Sequence, residues 1–494
     1  MFTMMKPLAT LLFCFLFSFC YAQVVTPGNG ASYTFQDLSV AYPEAVSSAT
    51  SGYFTLKQSL TISEGDTLLL DANTQEIFCN TTLTITLYGV MICSPRTDTL
   101  VITSNTTQCN GDFYDIRLEG SEACSFSNIL FEYGNNILIM QQNVSFDRCE
   151  FRYFAQPCIK YMNASPTIEH CYFHDNRQAA INSAVNVTGA PIIRHNTFYH
   201  NVLNNINQPQ INLGPGVAGD TIRIEDNLIE GSVAMSGGIA IANLMNVSQT
   251  CAVIRGNTII HNRYGYTQNG SDIYAIIEGN EFRDNNLETN PMNGGSGISI
   301  YGSDSTCAAK IRRNYISGNL WGITAINKHH IDLGTTSDPG YNCLIDNEND
   351  GITYALYNNA TNDMYAIGNY WGSSDTLQVE SVIFHYADNP MYGKVNYMPI
   401  LETDPDILSI PELEEPLAIS VIPNPVCTGN MVVHNHSEEA VWVEVFTISG
   451  QPLFAAWCFG AQLTIPTTDW SNGLYLLKAT QGTRSHTLKV VINN

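Results

Sequence analysis

The sequence predicts an all-β chain: a parallel β-helix solenoid followed by a small C-terminal antiparallel β-sandwich. Three observations carry this. A repeat of 20 to 34 residues runs through the middle of the chain, the composition is rich in turn and strand formers, and the last 78 residues alternate apolar and polar positions in short runs. Of 494 residues, 48 are Asn, 36 Gly and 25 Tyr, a mix that favours turns and strands over helices. Charged residues are only 13%, about half the usual share, which excludes a typical helical cytosolic enzyme, and 44% hydrophobic residues exclude disorder. The 21 Lys and Arg face 45 Asp and Glu, a net charge of −24. So acidic a chain repels a phosphate backbone, and nucleic acid is not an expected partner.

The N-terminus reads as an address. Residues 1–22 place Lys6 before an apolar run from Leu8 to Phe19 and end in Cys20-Tyr21-Ala22, the pattern of a secretory signal peptide cleaved after Ala22. The run is shorter than the roughly 20 residues a spanning helix needs, and no later segment supplies one, so no transmembrane segment is expected in the mature chain. Phe19 stands where a small residue would precede a lipidated Cys20. Twelve cysteines remain, at 79, 93, 109, 124, 149, 158, 171, 251, 307, 343, 427 and 458. An even count in an exported chain permits disulfides, but no pair has zinc-site CxxC spacing, and the preferred reading is that several pack as buried thiols. Residues 23–115 contain the strand-like runs 82–92 and 98–104 and are expected to form the N-terminal cap and first coils, because an open solenoid edge must be covered.

Residues 116–401 carry the repeat. The pattern I-x-x-N-x-h-x-x-N aligns Ile193, Asn196, Phe198 and Asn201 with Ile254, Asn257, Ile259 and Asn262, and with Ile311, Asn314, Ile316 and Asn319. Further copies centre on Ile129, Cys149, Cys171, Asn227, Asn280, Asn342 and Asn369. The spacing suits one coil of a parallel β-helix. Three positions before each centre an apolar column runs from Phe126 and Phe146 through Ile168, Ile193, Ile224, Ile254 and Ile277 to Ile311. Two positions after it a second runs from Phe131, Phe151, Phe173 and Phe198 through Ile229, Ile259, Phe282 and Ile316 to Leu344. Asn176, Asn201, Asn262, Asn285, Asn319 and Asn347, broken by Ser232, predict a structural ladder in which each Asn takes a left-handed backbone and bonds the next coil's amide. Gly238-Ile239, Gly297-Ile298, Gly322-Ile323 and Gly351-Ile352 suggest another short strand per coil.

Two surface columns carry candidate chemistry. Asp147, Glu169, Arg194, Glu225, Arg255, Glu278 and Arg312 fall two before the centre, where stacking about 4.8 Å apart makes an exposed ion-pair ladder. Four after it lie Asp175, His200, Gly231, His261, Asp284, Gly318 and Asp346. Here Asp175 should neighbour His200 and His261 should neighbour Asp284, pairs suited to acid/base work, with Gly231 leaving room for a ligand. His329, His330, Asp332 and Asp338 sit in an insertion that could line a cleft. No cofactor motif, nucleophile elbow, P-loop or zinc helix occurs. Calcium alone is left open, as a bridge between this acidic surface and an acidic polysaccharide.

Residues 402–416 form an acidic, proline-bearing linker, and 417–494 alternate as a small sandwich should. Ile422-Pro423-Asn424-Pro425, Val445 to Gln451 (VFTISGQ), Asn472-Gly473-Leu474-Tyr475 and the final Leu488-Lys489-Val490-Val491-Ile492 occur in the order of the C-terminal sorting domain of the type IX secretion system of Bacteroidetes, which this tail resembles. The resemblance implies handling by the type IX machinery, transport across the outer membrane, and display on the cell surface or release. Its motif residues here are Pro423, Asn424, Pro425, Gly473, Tyr475 and Lys489. The triplets beginning at Asp66, Asp98, Asp220, Asp304 and Asp375 resemble an O-glycosylation motif of the same group. The repeat, with its exit Ile367-Gly368-Asn369-Tyr370-Trp371-Gly372 and Gly393-Lys394-Val395-Asn396-Tyr397, resembles the right-handed parallel β-helix superfamily shared by pectin-degrading enzymes and bacterial surface proteins.

That scaffold hosts many activities. The function expected is therefore an extracellular β-helix protein that binds glycans, glycoproteins or host and matrix surfaces, with Tyr264, Tyr266, Tyr301 and Trp321 as candidate stacking residues. The rivals are a polysaccharide lyase or glycoside hydrolase acting through Asp175, His200, His261 and Asp284, and a passive structural surface component. No segment matches a lyase or hydrolase motif residue by residue, which leans the reading away from catalysis.

Overall fold

The computed structural model describes residues 23–80, 82–94, 98–104, 114–120, 122–140, 143–406, 419–427, 429–436, 440–448, 451–481 and 484–493. The expected signal peptide, Cys109 and most of the expected linker lie outside the described residues. Contacts divide the chain into two units, Met1–Ile407 and Leu408–Asn494.

The first unit is a solenoid of three sheets with 14, 13 and 14 strands. A coil visits the three sheets in turn: Thr250–Arg255 in the first, Thr258–Ile260 in the second and Tyr266–Gly270 in the third, before Ile273–Glu278 opens the next coil. Coils pair in parallel. Inward positions hold the two apolar columns in register, Ile193 on Ile224 and Ile224 on Ile254 in the first sheet, Phe198 on Ile229 and Ile229 on Ile259 in the second. All are buried. The phenylalanines stack face to face from coil to coil, with centroids 5.1 Å apart for Phe131 and Phe151, 4.5 Å for Phe151 and Phe173, and 5.0 Å for Phe173 and Phe198. Each such pair adds about 0.5–1.5 kcal/mol to the burial of its rings.

The third sheet supplies a further inward stack, Ile211, Ile239, Tyr266, Ile298, Ile323 and Leu356. Gly351-Ile352 is not part of it. Ile352 lies half exposed in an antiparallel pairing of Glu348–Asn349 with Ile352–Thr353, and the coil's third strand is Leu356–Asn359.

Two asparagine ladders pin the corners. At the first, Asn196, Asn227, Asn257, Asn280, Asn314 and Asn342 each pass an Nδ2–H to the next Oδ1 at 2.8–3.0 Å, ending on Asn369. Each Oδ1 also accepts the backbone N–H of the preceding Asn, as Asn280 does from Asn257 at 2.9 Å. The second ladder crosses its gap at Ser232 by borrowing Gln210, which accepts from Asn201 at 2.9 Å and donates to Asn262 at 3.1 Å. The left-handed backbone expected of these asparagines belongs instead to the residue before each one: His195, Asp226, Gly256, Gly279 and Arg313 at the first corner, Asp175, His200, His261, Asp284 and Gly318 at the second. The chain turns there, and the Asn behind it is left in ordinary geometry with its amide aimed along the stack.

The ends are covered. Helix α1 (Phe35–Ala41) is closed by a capping box between Thr34 and Asp37 and buries Phe35 and Leu38 in the solenoid core. At the other end Asn369 terminates the first ladder, Trp371 is buried, and α2 (Thr376–Ser381) follows from an Asp375 N-cap. Among the described residues all 11 cysteines are free thiols, eight of them buried.

The second unit packs a three-stranded sheet (Ile419–Val421, Asn430–Asn435, Gln462–Pro466) with a four-stranded antiparallel sheet (Pro452–Cys458, Val441–Thr447, Gly473–Gln481, Arg484–Ile492). Val433, Val443, Val445, Leu477 and Val490 form its core.

Candidate functional site

The second-corner column brings its acids and histidines together. His200 Nδ1 lies 3.4 Å from Asp175 Oδ1, and His261 Nε2 lies 3.9 Å from Asp284 Oδ2. Three of the four have another ionic partner: Asp175 holds His174 at 2.8 Å, His261 holds Glu230 at 3.2 Å, and Asp284 holds Arg283 at 3.1 Å, while the His200 ring stacks on Tyr199 at 4.1 Å. All four occupy left-handed corner positions, which Asp, His and Gly tolerate better than other residues, so turn geometry alone accounts for their types. Gly231 leaves no room for a ligand. A Cβ there would sit 2.2 Å from the His261 carbonyl oxygen, so the glycine serves a close approach of backbone.

The charged column is an ion-pair ladder only in part. Arg194 pairs with Glu169, and Arg255 with Glu278 at 3.0 Å. Arg312 departs from the expected exposure: it is buried and holds Asp332 at 2.8 Å and Asp338 at 3.0 Å. Those two carboxylates therefore anchor an arginine. Of the four candidates in the insertion, His329 is buried, His330 exposed, and Asp332 and Asp338 half-buried. Among the described residues no group of three or more His, Cys, Asp or Glu could hold a metal ion. Asp66 is fully buried, accepting the N–H groups of Gly28, Asn29, Gly30 and Ala31 at 2.8–3.0 Å, whereas Asp98, Asp220, Asp304 and Asp375 are exposed.

The aromatic candidates separate sharply. Tyr266 is corrected to a core residue: it is fully buried in the third-sheet stack, and its hydroxyl donates to the buried Gln268 at 3.2 Å. The sequence held the signal, since Gly265-Tyr266 repeats Gly238-Ile239 and Gly297-Ile298 with a ring in the isoleucine's place. Tyr264 and Trp321 instead line a groove on the outer face of the third sheet, with a volume of about 430 Å³. Its floor is the outward row Thr267, Ser299, Thr324 and Tyr357, one residue per coil in register. A second outward row brings Tyr301 beside Ile326, which with Asn359 also lines the groove, and leaves Tyr301 exposed at the margin.

The wall comes from the 284–295 connection. Trp321 Nε1 donates to the Pro291 carbonyl at 2.9 Å, and the indole sits 4.8 Å from the Tyr354 ring and 5.0 Å from Tyr357, which stacks on Phe384 at 4.5 Å. The Tyr264 ring lies over Gly237, where a Cβ would meet its Cζ at 2.3 Å, and burial pushes its hydroxyl up to about 12. Arg263 lies at the same edge, only 8% exposed, donating to Asn207 Oδ1 and the Asn293 carbonyl. Among the described residues no Asp, Glu or His lines the groove. The repeat does not reveal Tyr357 or Arg263: Gly351-Ile352 points to a third strand four residues before the one that forms, and Arg263 follows the ladder without a pattern of its own.

In the second unit Asn424 clamps the last strand, donating to the Lys489 carbonyl at 2.8 Å and accepting from Val491 N–H at 2.9 Å. Pro423 and Pro425 flank this clamp. Tyr475 is buried with its hydroxyl donating to the Ser471 carbonyl at 2.7 Å. The Lys489 side chain is exposed, and nothing in the structure explains Gly473, whose Cβ position is open. No helix among the described residues is long and apolar enough to cross a membrane.

Comparison with known proteins agrees with this architecture. Residues 88–248 match the family described as a right handed beta helix region, 266–377 a family of unknown function, DUF1565, and 420–493 the secretion system C-terminal sorting domain. Among solved structures, the periplasmic alginate epimerase AlgG is similar at 14% identity and a TM-score of 0.45, covering 75% of this chain and 83% of that one. A single-substitution mutant of AlgG reaches 0.48 at the same identity and coverage. No curated protein matches by sequence. The solenoid thus contains a right-handed β-helix region, and the tail is a type IX sorting domain that marks the chain for export to the cell surface or release.

Proposed function

We propose that the exported solenoid is a glycan-binding module and that the third-sheet groove is its site. The observation that carries the reading is the pair of rings, Trp321 and Tyr357, set beside hydroxyl and amide side chains, Thr267, Ser299, Thr324 and Asn359, in one groove. Sugar rings present an apolar face that stacks on such rings and hydroxyls that bond such polar groups. The volume lies in the range of roughly 300–1,000 Å³ common to small-molecule sites. No described carboxylate or histidine, the commonest proton acceptors of hydrolysis and elimination, lines the groove, and burial raises the Tyr264 hydroxyl to about 12, which favours binding over either reaction.

The test is retention of the mature chain on a panel of immobilised polysaccharides, with reducing ends and unsaturated uronate measured in the same samples. Trp321→Ala and Tyr357→Ala are expected to lose retention, while Asp175→Asn and His261→Gln keep it. Product formation abolished by Asp175→Asn or His261→Gln would replace this reading with the enzymatic one, and no retention on any glycan would leave a structural surface component.

A further inference from the structure

Resting on the glycan reading of the groove, we propose that Arg263 is its specificity-determining residue and that the preferred saccharide carries an anionic substituent, a carboxylate or a sulfate, received by the guanidinium. Arg263 differs from Arg152, Arg283 and Arg312 of the same solenoid. Arg152 holds Glu132 at 2.7 Å, Arg283 holds Glu281 at 2.7 Å, and Arg312 holds two aspartates. Arg263 has no acidic partner among the described residues. Its two terminal nitrogens donate to neutral oxygens, those of Asn207 and Asn293, and its Nε is buried without a partner.

A guanidinium carries five donors and cannot shed its charge, and a buried charge without a counter-ion is strongly unfavourable. The two neutral oxygens fix the plane of the group and leave further N–H donors for an incoming ligand. That ligand meets a cation at one edge and the Trp321 and Tyr357 rings beside it, with no carboxylate among the described lining residues to oppose an anion. The match is to a sugar ring bearing one negative substituent. The net charge of −24 opposes approach only at long range. At physiological ionic strength such fields are screened beyond about 8 Å, so the local cation decides.

The test uses the mature chain and paired probes by titration calorimetry: an oligogalacturonide against the same oligosaccharide with its carboxylates reduced to alcohols, and a sulfated galactan fragment against its desulfated form. The expected result is roughly tenfold or tighter binding of one anionic member over its neutral counterpart, as a charge-assisted hydrogen-bonded contact implies. In Arg263→Gln the ratio of charged to neutral binding should fall to near unity. The pair that shows the preference tells carboxylate from sulfate. Equal binding of charged and neutral members by the unaltered protein overturns the inference and leaves the glycan reading standing. A folded Arg263→Gln that keeps the preference also overturns it. If Arg263→Gln does not fold, the paired probes on the unaltered chain decide. Binding of none of the four probes, together with no retention on the wider panel, fails the glycan reading itself.

Discussion

Replacing Asn280 by Ala tests whether the asparagine ladder stabilises the solenoid or merely fills its corner. Asn280 is fully buried, and its Oδ1 accepts from both the N–H and the Nδ2 of Asn257 at 2.9 Å. Its own Nδ2 donates to the Ile254 carbonyl at 2.8 Å and to Asn314 Oδ1 at 2.9 Å. Truncation orphans the buried Asn257 amide, at about 1–3 kcal/mol, and removes two further hydrogen bonds at about 0.5–1.5 kcal/mol each, a total of roughly 2–6 kcal/mol. The assay is urea unfolding of the mature chain followed by tryptophan fluorescence, with the exposed Gln249→Ala as control. Native-state hydrogen exchange adds the location, because solenoid coils can open locally. A shift within about 0.5 kcal/mol of the control would refute the reasoning. Asn280→Asp keeps the acceptor but turns a carboxylate oxygen toward acceptors that faced Nδ2. Its folded pKa should therefore be raised, and its stability present at low pH and lost as pH rises.

Two further predictions concern buried titratable groups. Burial, set against the neighbouring Asn358, holds His329 down to about 4. The unfolded histidine titrates near 6.5, so between these values only the unfolded chain takes up the proton. Stability should then be full above about pH 6.5 and fall by roughly 3 kcal/mol by pH 4, a component that His329→Phe removes; equal unfolding midpoints at pH 7 and 4.5, corrected against that variant, would count against it. Burial also pushes Cys307 up to about 11 and Cys343 to about 12. At pH 8 a thiol reagent should label exposed Cys427 quickly and the eight buried thiols only after unfolding, and a reductant should leave the unfolding midpoint unchanged.

The solenoid core was legible because a β-strand period of two and a coil of fixed registry leave the same residue type at the same offset. Phe131, Phe151, Phe173 and Phe198 announce their stack without any structure. The left-handed corner lies one residue before the asparagine that suggests it, because Asp, His and Gly share that position and no single type marks it as Asn marks the ladder. The groove was half legible. Trp321 and Tyr264 stood out as aromatics beside turns, but Tyr266 satisfied the same criterion while facing inward, and only the parity of Gly265-Tyr266 with Gly297-Ile298 distinguishes them. Tyr357 and Arg263 were invisible because their placement depends on how far each connection runs before the third strand begins, a quantity the periodic part of the sequence does not encode.

Those connections have a consequence beyond this site. Between the second and third sheets they span five, twelve and three residues in successive coils (261–265, 284–295 and 318–320), while the strands on either side stay in step. The floor residues Thr267, Ser299, Thr324 and Tyr357 therefore recur at a pitch of roughly 4.8 Å whatever the loops beside them do. The scaffold works as a ruler with exchangeable markings. A chain of this kind can diversify what it recognises one rung at a time, by lengthening or trading a single connection, with the spacing of every other rung unaltered.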